Sequence, residues 1–273
     1  MTKLLEKRLS RNVFIVLLFW LVVLTNQVFA KNINLQETPL RIAVAANFAP
    51  TLKHLLNSYP NKNKIKYQII SAATGTLYQQ INHGAPFDLY LAADSNRPKK
   101  LEQAQLIVPN SRKSYAFGQL ALWSASTNFS DLAQLNEFSG YLAIANPETA
   151  PYGKAAKQVL EYLALWSKQK QRLVTGININ QTFQQVRSQA VPAGIVALSQ
   201  LKINNLNGLV IPSTHYQPIA QQLVILKASK QVTNAQEISR YLLSAQSQQI
   251  LHELGYLPVP DSNYPTITNG NGA

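Results

Sequence analysis

The residues that could bind a ligand are mostly polar and uncharged, and they lie next to short apolar runs. Asn47 follows RIAVAA, Thr74 follows YQIISAA, and Asp94, the acidic exception, follows FDLYLAA. Tyr152 and the segment 178–180 lie at predicted helix starts. Helix N-termini present unpaired N–H groups and a partial positive charge, so several of them meeting at one point form an anion site without lysine or arginine. Taken singly, each residue is better explained as a helix cap.

Alternating strands and helices must position these residues. Short apolar runs predict five strands, at 41–46, 67–73, 87–93, 142–146 and 194–200. Helical patterns follow the first four runs; the third helix is led by Pro98, and the fourth carries an apolar stripe from Ala155 to Trp166. This alternation predicts an α/β fold with mostly parallel sheets, in which ligands bind outside the carboxyl ends of the strands.

Several kinds of chemistry are excluded or disfavoured by residues that the chain lacks. The 273 residues contain no cysteine, which excludes disulfides, thiol catalysis and cysteine-ligated metals. The four histidines lie far apart, and the GxSxG, GxxxxGK[ST] and GxGxxG motifs do not occur. These absences disfavour an enzyme and any metal held as a cation.

The basic character of the chain has three possible meanings. Twenty-five lysines and arginines against twelve acids give a formal charge of +13, which suits nucleic acid, an anionic membrane surface or a small anion. The densest basic runs, 62–66 and 168–172, are better explained as solvated surface than as a nucleic-acid patch. A basic protein that binds lipid or DNA therefore stays open only as a less favoured alternative.

Residues 1–30 have the organisation of a signal peptide. Four basic residues precede the apolar stretch 13–24, and the small residues Val28 and Ala30 mark a cleavage site after Ala30. The apolar stretch is shorter than the roughly 20 residues of a permanent membrane span, although an uncleaved anchor remains the alternative. We therefore expect export to a bacterial periplasm, and loss of the leader reduces the charge from +13 to +10.

Longer motifs extend these observations to nearly the whole mature chain. AVAANFAPTLKHL, SAATGTLYQQINHGAPFDLYLAADSNRPKKLE, NPETAPYGKAAKQVL, GININQTFQQV and AGIVALSQ follow one another between positions 43 and 200. Together they resemble the periplasmic molybdate-binding proteins of ABC importers, over about 41–258. GAPFD with AAD, combined with NPETAPYG, is far more specific than any single short motif.

The resemblance implies a fold and a domain division. It implies the two-lobed fold of class II periplasmic binding proteins, in which each lobe is a mixed, mostly parallel sheet flanked by helices. A returning strand at 222–226 would place 31–117 plus 219–273 in lobe one and 118–218 in lobe two. The ligand would lie in the cleft between the lobes.

The resemblance also implies five ligand contacts. Asn47 and Thr74 would donate from their side chains, Tyr152 from its hydroxyl, and Ala93 and Ile179 from their backbone N–H groups. The ligand would thus be held by uncharged donors contributed by both lobes.

Three neighbouring positions qualify this assignment. Asp94 would brace the turn after Ala93 and point away from the ligand, because a carboxylate repels a dianion. Ala197 stands where one branch of the family has its ligand tyrosine, and Ile177 stands where relatives often have glutamate. These two departures leave the details of both turns open.

The implied function is binding of molybdate and its delivery to an ABC permease and ATPase complex. Such a protein is a monomer, performs no covalent chemistry and needs no cofactor, since molybdate or tungstate is its ligand. Tungstate and sulfate remain alternative oxyanions, because tungstate is almost the same size as molybdate. An exported enzyme on the same two-lobed fold is the alternative from another class.

Overall fold

The computed structural model describes residues 38–60 and 65–259, and the predicted signal peptide at 1–30 lies outside them. None of the helices in these two segments is long and apolar enough to cross a membrane. The described chain forms two five-stranded sheets with helices on both faces, which confirms the α/β fold and its two-lobed arrangement.

The first lobe is built on a sheet with the strand order β2-β1-β3-β10-β4. Its strands are β1 (Leu40–Ala45), β2 (Tyr67–Ala72), β3 (Leu89–Ala92), β4 (Lys113–Gly118) and β10 (Ile219–Ile225). The second lobe has the order β7-β6-β8-β5-β9. Its strands are β5 (Leu120–Trp123), β6 (Leu142–Ala145), β7 (Leu173–Gly176), β8 (Ala193–Ala197) and β9 (Leu209–Val210).

The two sheets are mixed, and parallel pairs do not form the majority. In each sheet two of the four pairings are parallel and two are antiparallel. The antiparallel pairings involve β4, β5, β9 and β10, which run where the chain passes from one sheet to the other. Only Gln119 separates β4 from β5. The expectation of mostly parallel sheets therefore holds for the βαβ part of each lobe and not for its crossover strands.

Nine helices connect and cover the strands in the described segments. They are α1 (Ala49–Asn57), α2 (Thr74–Asn82), α3 (Asn96–Gln103), α4 (Pro151–Tyr162), α5 (Trp166–Gln169), α6 (Ile179–Arg187), α7 (Leu198–Ile203), α8 (Val232–Leu242) and α9 (Ala245–Glu253). Three short 3-10 turns lie at Leu132–Asn136, Lys170–Arg172 and Ser213–His215.

Burial on both faces explains why the strands are continuous apolar runs. Leu40, Ile42 and Val44 of β1 pack with α1, α8 and α9, whereas Ala43 packs on the opposite face with α2 and α3. This alternation follows from the two-residue period of a strand. Sheets covered on both faces have apolar strands without polar alternation.

Among the predicted boundaries that differ from the observed ones, three concern the starts and ends of helices. The run 194–200 ends as a strand at Ala197, where the Ala197 N–H donates to Gln200 Oε1 at 3.1 Å and α7 begins. The third helix begins at Asn96, two residues before Pro98. The fourth ends at Tyr162, because the chain turns through a positive φ of 56° at Ala164, so Trp166 lies on the separate helix α5.

Candidate functional site

The N-terminal ends of helices from both lobes surround one small cavity of about 10 Å³. Thr74 is the first residue of α2 and Ile179 the first of α6, while Tyr152 is the second residue of α4. Asn47 lies between β1 and α1, and Ala93 directly follows β3. All five residues expected to bind the ligand line this cavity.

The cavity lining combines a few polar groups with small apolar residues and has no formal charge. Its remaining lining residues, within the described part of the chain, are small or uncharged: Ala45, Ala46, Ala73, Ala150, Pro151 and Asn178. In the same segments there is no cluster of three histidine, aspartate or glutamate residues that could hold a metal ion. Helix N-termini with neutral donors suit an anion that carries only hydrogen-bond acceptors.

A buried glutamine organises the donors on one side of the cavity. Gln221 Oε1 accepts from Asn47 Nδ2 at 3.0 Å and from the Tyr115 hydroxyl at 3.1 Å, and Gln221 Nε2 donates to the Tyr152 hydroxyl at 3.1 Å. All four side chains are buried. Because Tyr152 accepts from Gln221, its own O–H proton is available to a ligand.

Burial also fixes the protonation state of Tyr152. Desolvation raises the pKa of its hydroxyl well above the ordinary value of 10.0, and the nearby Tyr256, Tyr216 and Tyr115 act in the same direction. The hydroxyl is therefore neutral, and a proton donor, throughout the physiological pH range. Gly118 provides its space, because a Cβ there would lie 2.1 Å from the Tyr152 hydroxyl oxygen.

On the opposite side, two of the expected donors are paired with each other. The Ala93 N–H donates to Thr74 Oγ1 at 3.1 Å. The Tyr90 hydroxyl donates to the Thr74 carbonyl at 2.9 Å, which ties the start of α2 to β3. Because Thr74 Oγ1 accepts from the Ala93 N–H, the Thr74 hydroxyl proton stays available to a ligand.

At the second-lobe side, an asparagine cap supports Ile179. Asn178 Oδ1 accepts from the N–H groups of Asn180 and Gln181, each at 3.0 Å. Ile179, as the first residue of α6, has an N–H without an acceptor inside the helix. The neighbouring Ile177 is 69% exposed, and Ala197, the other departure from the family pattern, is fully buried at the end of β8.

Asp94 does not line this cavity. Its carboxylate accepts from the Arg97 N–H at 2.9 Å and forms an ion pair with the Arg97 guanidinium. The carboxylate therefore braces the start of α3, and its direction relative to a ligand stays a prediction.

Sequence reasoning missed three residues of this site. Gln221 and Tyr115 hold the donors of the cavity, and Gly118 makes room for one of them. The predicted last strand began at 222, one residue too late to include Gln221. The usable signal was a polar pair, Gln221 and Gln222, inside an otherwise apolar strand.

Two α/β lobes with a small uncharged cavity between their helix ends define a protein that encloses a small solute. The chain belongs to the bacterial extracellular solute-binding protein family, whose model matches residues 40–257.

The chain is also similar to individual proteins within this family. The chain is 38% identical to the molybdate-binding protein ModA of Azotobacter vinelandii, over 81% of this chain and 90% of that protein. It is 35% identical to ModA of Rhodobacter capsulatus, over 79% and 86%. The solved structure of the Azotobacter vinelandii periplasmic molybdate-binding protein superimposes with a TM-score of 0.76 at 32% identity, covering 81% of this chain and all of that one.

Proposed function

We propose that this protein binds molybdate in the cavity between its lobes and delivers it to an ABC importer. The observation that carries the proposal is a small cavity lined by buried neutral donors and helix N-termini. The resemblance to molybdate-binding relatives supports the choice of ligand.

The chemistry of the ligand matches this lining. Molybdate is a tetrahedral dianion that is fully deprotonated near neutral pH, so its oxygens only accept hydrogen bonds. Asn47, Thr74 and Tyr152 would donate from side chains, and Ala93 and Ile179 from the backbone. An anion oxygen beside Thr74 would share the Ala93 N–H or replace Thr74 Oγ1 as its acceptor.

Protonation and size distinguish the other oxyanions from molybdate. Phosphate keeps a proton near pH 7 and gains from a carboxylate acceptor, whereas the nearby carboxylate of Asp94 is already paired with Arg97. Sulfate is smaller than molybdate, so donors at fixed positions would lie beyond about 3.0 Å from some of its oxygens. Tungstate matches molybdate in charge and nearly in size, and is the second candidate ligand.

The remaining features of the proposal concern the whole chain. Lobe one would comprise 31–117 plus 219–273 and lobe two 118–218, after removal of a signal peptide that ends at Ala30. The mature protein would act in the periplasm as a monomer without catalytic activity. Closure of the lobes around the ion would create the surface that the permease and ATPase complex recognises.

The first experiment is thermal unfolding and calorimetry with molybdate, tungstate, sulfate and phosphate. A ligand at 100 times its dissociation constant stabilises the folded state by about 2.7 kcal/mol. We expect stabilisation by molybdate and tungstate and not by phosphate. No stabilisation by molybdate or tungstate would refute the proposal.

A matched pair of tyrosine variants tests the site itself. Tyr152→Phe removes one neutral donor, and the expected cost in binding is about 1–3 kcal/mol, or roughly 5- to 150-fold in affinity. Tyr162→Phe is the control, because Tyr162 lies on the same helix and is 62% exposed. Equal affinities for the two variants would show that the site is wrongly assigned.

A further inference from the structure

Besides the contacts of Gln221 and Asn47 with Tyr152, two hydrogen bonds join the lobes beside the cavity without involving a residue expected to touch the ligand. The Gly75 N–H of α2 donates to the Thr149 carbonyl at 2.8 Å. Arg97 Nη2 of α3 donates to the Glu148 carbonyl at 3.1 Å. Both acceptors lie on the turn between β6 and α4, so helices of the first lobe hold one turn of the second.

The guanidinium of Arg97 is positioned for this contact from within its own lobe. Asp94 accepts from its backbone N–H and pairs with its Nη1, which leaves Nη2 directed at the second lobe. The Arg97 side chain is 21% exposed and that of Asp94 19%. Partial burial and the two contacts with Asp94 therefore restrict the Arg97 side chain even before it contacts the second lobe.

Close approach of the lobes leaves little room for a side chain at position 75. A Cβ there would lie 2.8 Å from Arg97 Nη2, 3.0 Å from the Thr149 carbonyl oxygen and 3.1 Å from Thr149 Cα. The arginine end is flexible, but the two Thr149 atoms are backbone. Gly75 lies in the first turn of α2 with helical geometry, so its small size is what the structure uses.

The geometry points to a cleft latch, made of Gly75 and Arg97 with the carbonyls of Glu148 and Thr149, that holds the lobes together and sets how long the ligand stays bound. This inference rests on the proposed function. Neither Gly75 nor Arg97 lines the small cavity, so both act as positioning residues. Loss of the latch should speed release of the ion and leave its capture nearly unchanged.

Rapid-mixing measurements of molybdate dissociation test Arg97 directly. Arg97→Gln removes the guanidinium, and with it the Nη2 that donates across the cleft, so we expect dissociation to be faster by about 10-fold, the effect of one hydrogen bond involving a charged group. Arg112→Gln is the control, since Arg112 contacts Glu102 Oε2 at 2.7 Å and Gln222 Oε1 at 3.1 Å within the first lobe. Equal dissociation rates for the two variants would overturn the latch.

A lysine variant separates the latch from simple charge attraction. Arg97→Lys keeps a positive charge near the bound anion but lacks the planar fork that contacts Asp94 and Glu148 together. We expect it to release molybdate as fast as Arg97→Gln does. A wild-type lifetime for Arg97→Lys would assign the effect to charge and overturn the latch.

Gly75→Ala tests the approach of the lobes without removing a polar group. Alanine is the better helix former, so the urea midpoint without ligand should be equal or higher. Small-angle scattering should show the wild type contracting on addition of molybdate and the variant contracting less, with faster release. Contraction and release like those of the wild type would overturn the latch.

Failure of the two proposals can be distinguished. A wild-type protein that binds neither molybdate nor tungstate overturns both of them. A wild-type protein that binds, with latch variants that behave like it, overturns the latch and leaves the proposed function standing.

Discussion

Gln221→Leu is the sharpest test of how the polar network around the cavity is held. Leucine has a similar volume, so the substitution removes hydrogen bonds without opening a large void. Three buried groups lose a partner: the Asn47 amide and the hydroxyls of Tyr115 and Tyr152. The cost depends on which of them find another partner.

The structure allows that cost to be worked out. The Tyr115 hydroxyl keeps the Ala92 carbonyl at 3.2 Å, so it stays satisfied. Asn47 and Tyr152 keep their mutual contact at 3.4 Å, and Asn47 also keeps a side-chain hydrogen bond with Tyr256. Two groups therefore lose their main partner at about 1–3 kcal/mol each, and these remaining contacts limit the total to about 2–4 kcal/mol. A domain with the usual stability of about 5–15 kcal/mol would still fold.

Urea unfolding without ligand measures this difference. The midpoint should fall while the slope m stays constant, because the folded state keeps its compactness. Molybdate affinity should fall as well, since Asn47 and Tyr152 lose the group that orients them. Gln222→Leu is the control: its amide contacts Arg112 and Ser114, which are half-buried and can turn to water, so the expected loss is under about 1 kcal/mol. Equal losses for the two variants would refute the reasoning.

Two further predictions concern alkaline pH and a helix cap. Burial raises the pKa of the Tyr90, Tyr115 and Tyr152 hydroxyls in the folded state. Their contribution to stability is therefore complete below the pKa of an unfolded tyrosine, near 10. Above that pH, each of them lowers the free energy of unfolding by about 1.4 kcal/mol per pH unit. Urea midpoints should therefore be level from about pH 7 to 9 and fall steeply beyond about pH 10; a level profile to pH 11 would contradict this. Asn178→Ala removes the cap of α6 and should cost about 1 kcal/mol in urea unfolding, with weaker molybdate binding; unchanged stability would show that the cap is dispensable.

The strands of the fold were predictable because both faces of each sheet are covered. Continuous apolar runs such as 41–46 and 142–146 therefore stood out against their polar surroundings. The direction of each strand was harder to predict from sequence, because it depends on where the chain crosses between lobes. The single residue Gln119 between β4 and β5 carries that crossover, and no local pattern marks it.

For the site, sequence indicated which residues lie at strand and helix ends, but not what holds them. Asn47 and Thr74 meet because β1 and β2 are parallel neighbours that end at the same sheet edge. Gln221 is 174 residues from Asn47 in sequence, and its role arises only through the pairing of β10 with β3 and β4. Arg97 has the sequence context of an ordinary surface charge at a helix start.

The two connections between the lobes have a mechanical consequence. Gly118, the last residue of β4, pairs with Ile219, the first of β10, so the chain leaves and re-enters the first lobe side by side. A single connecting segment would let the lobes rotate freely about it. Two adjacent segments form a hinge that bends in one plane and resists twisting. We therefore expect the lobes to open and close along a single path. Each closure then restores the same contact between Gly75 and Thr149.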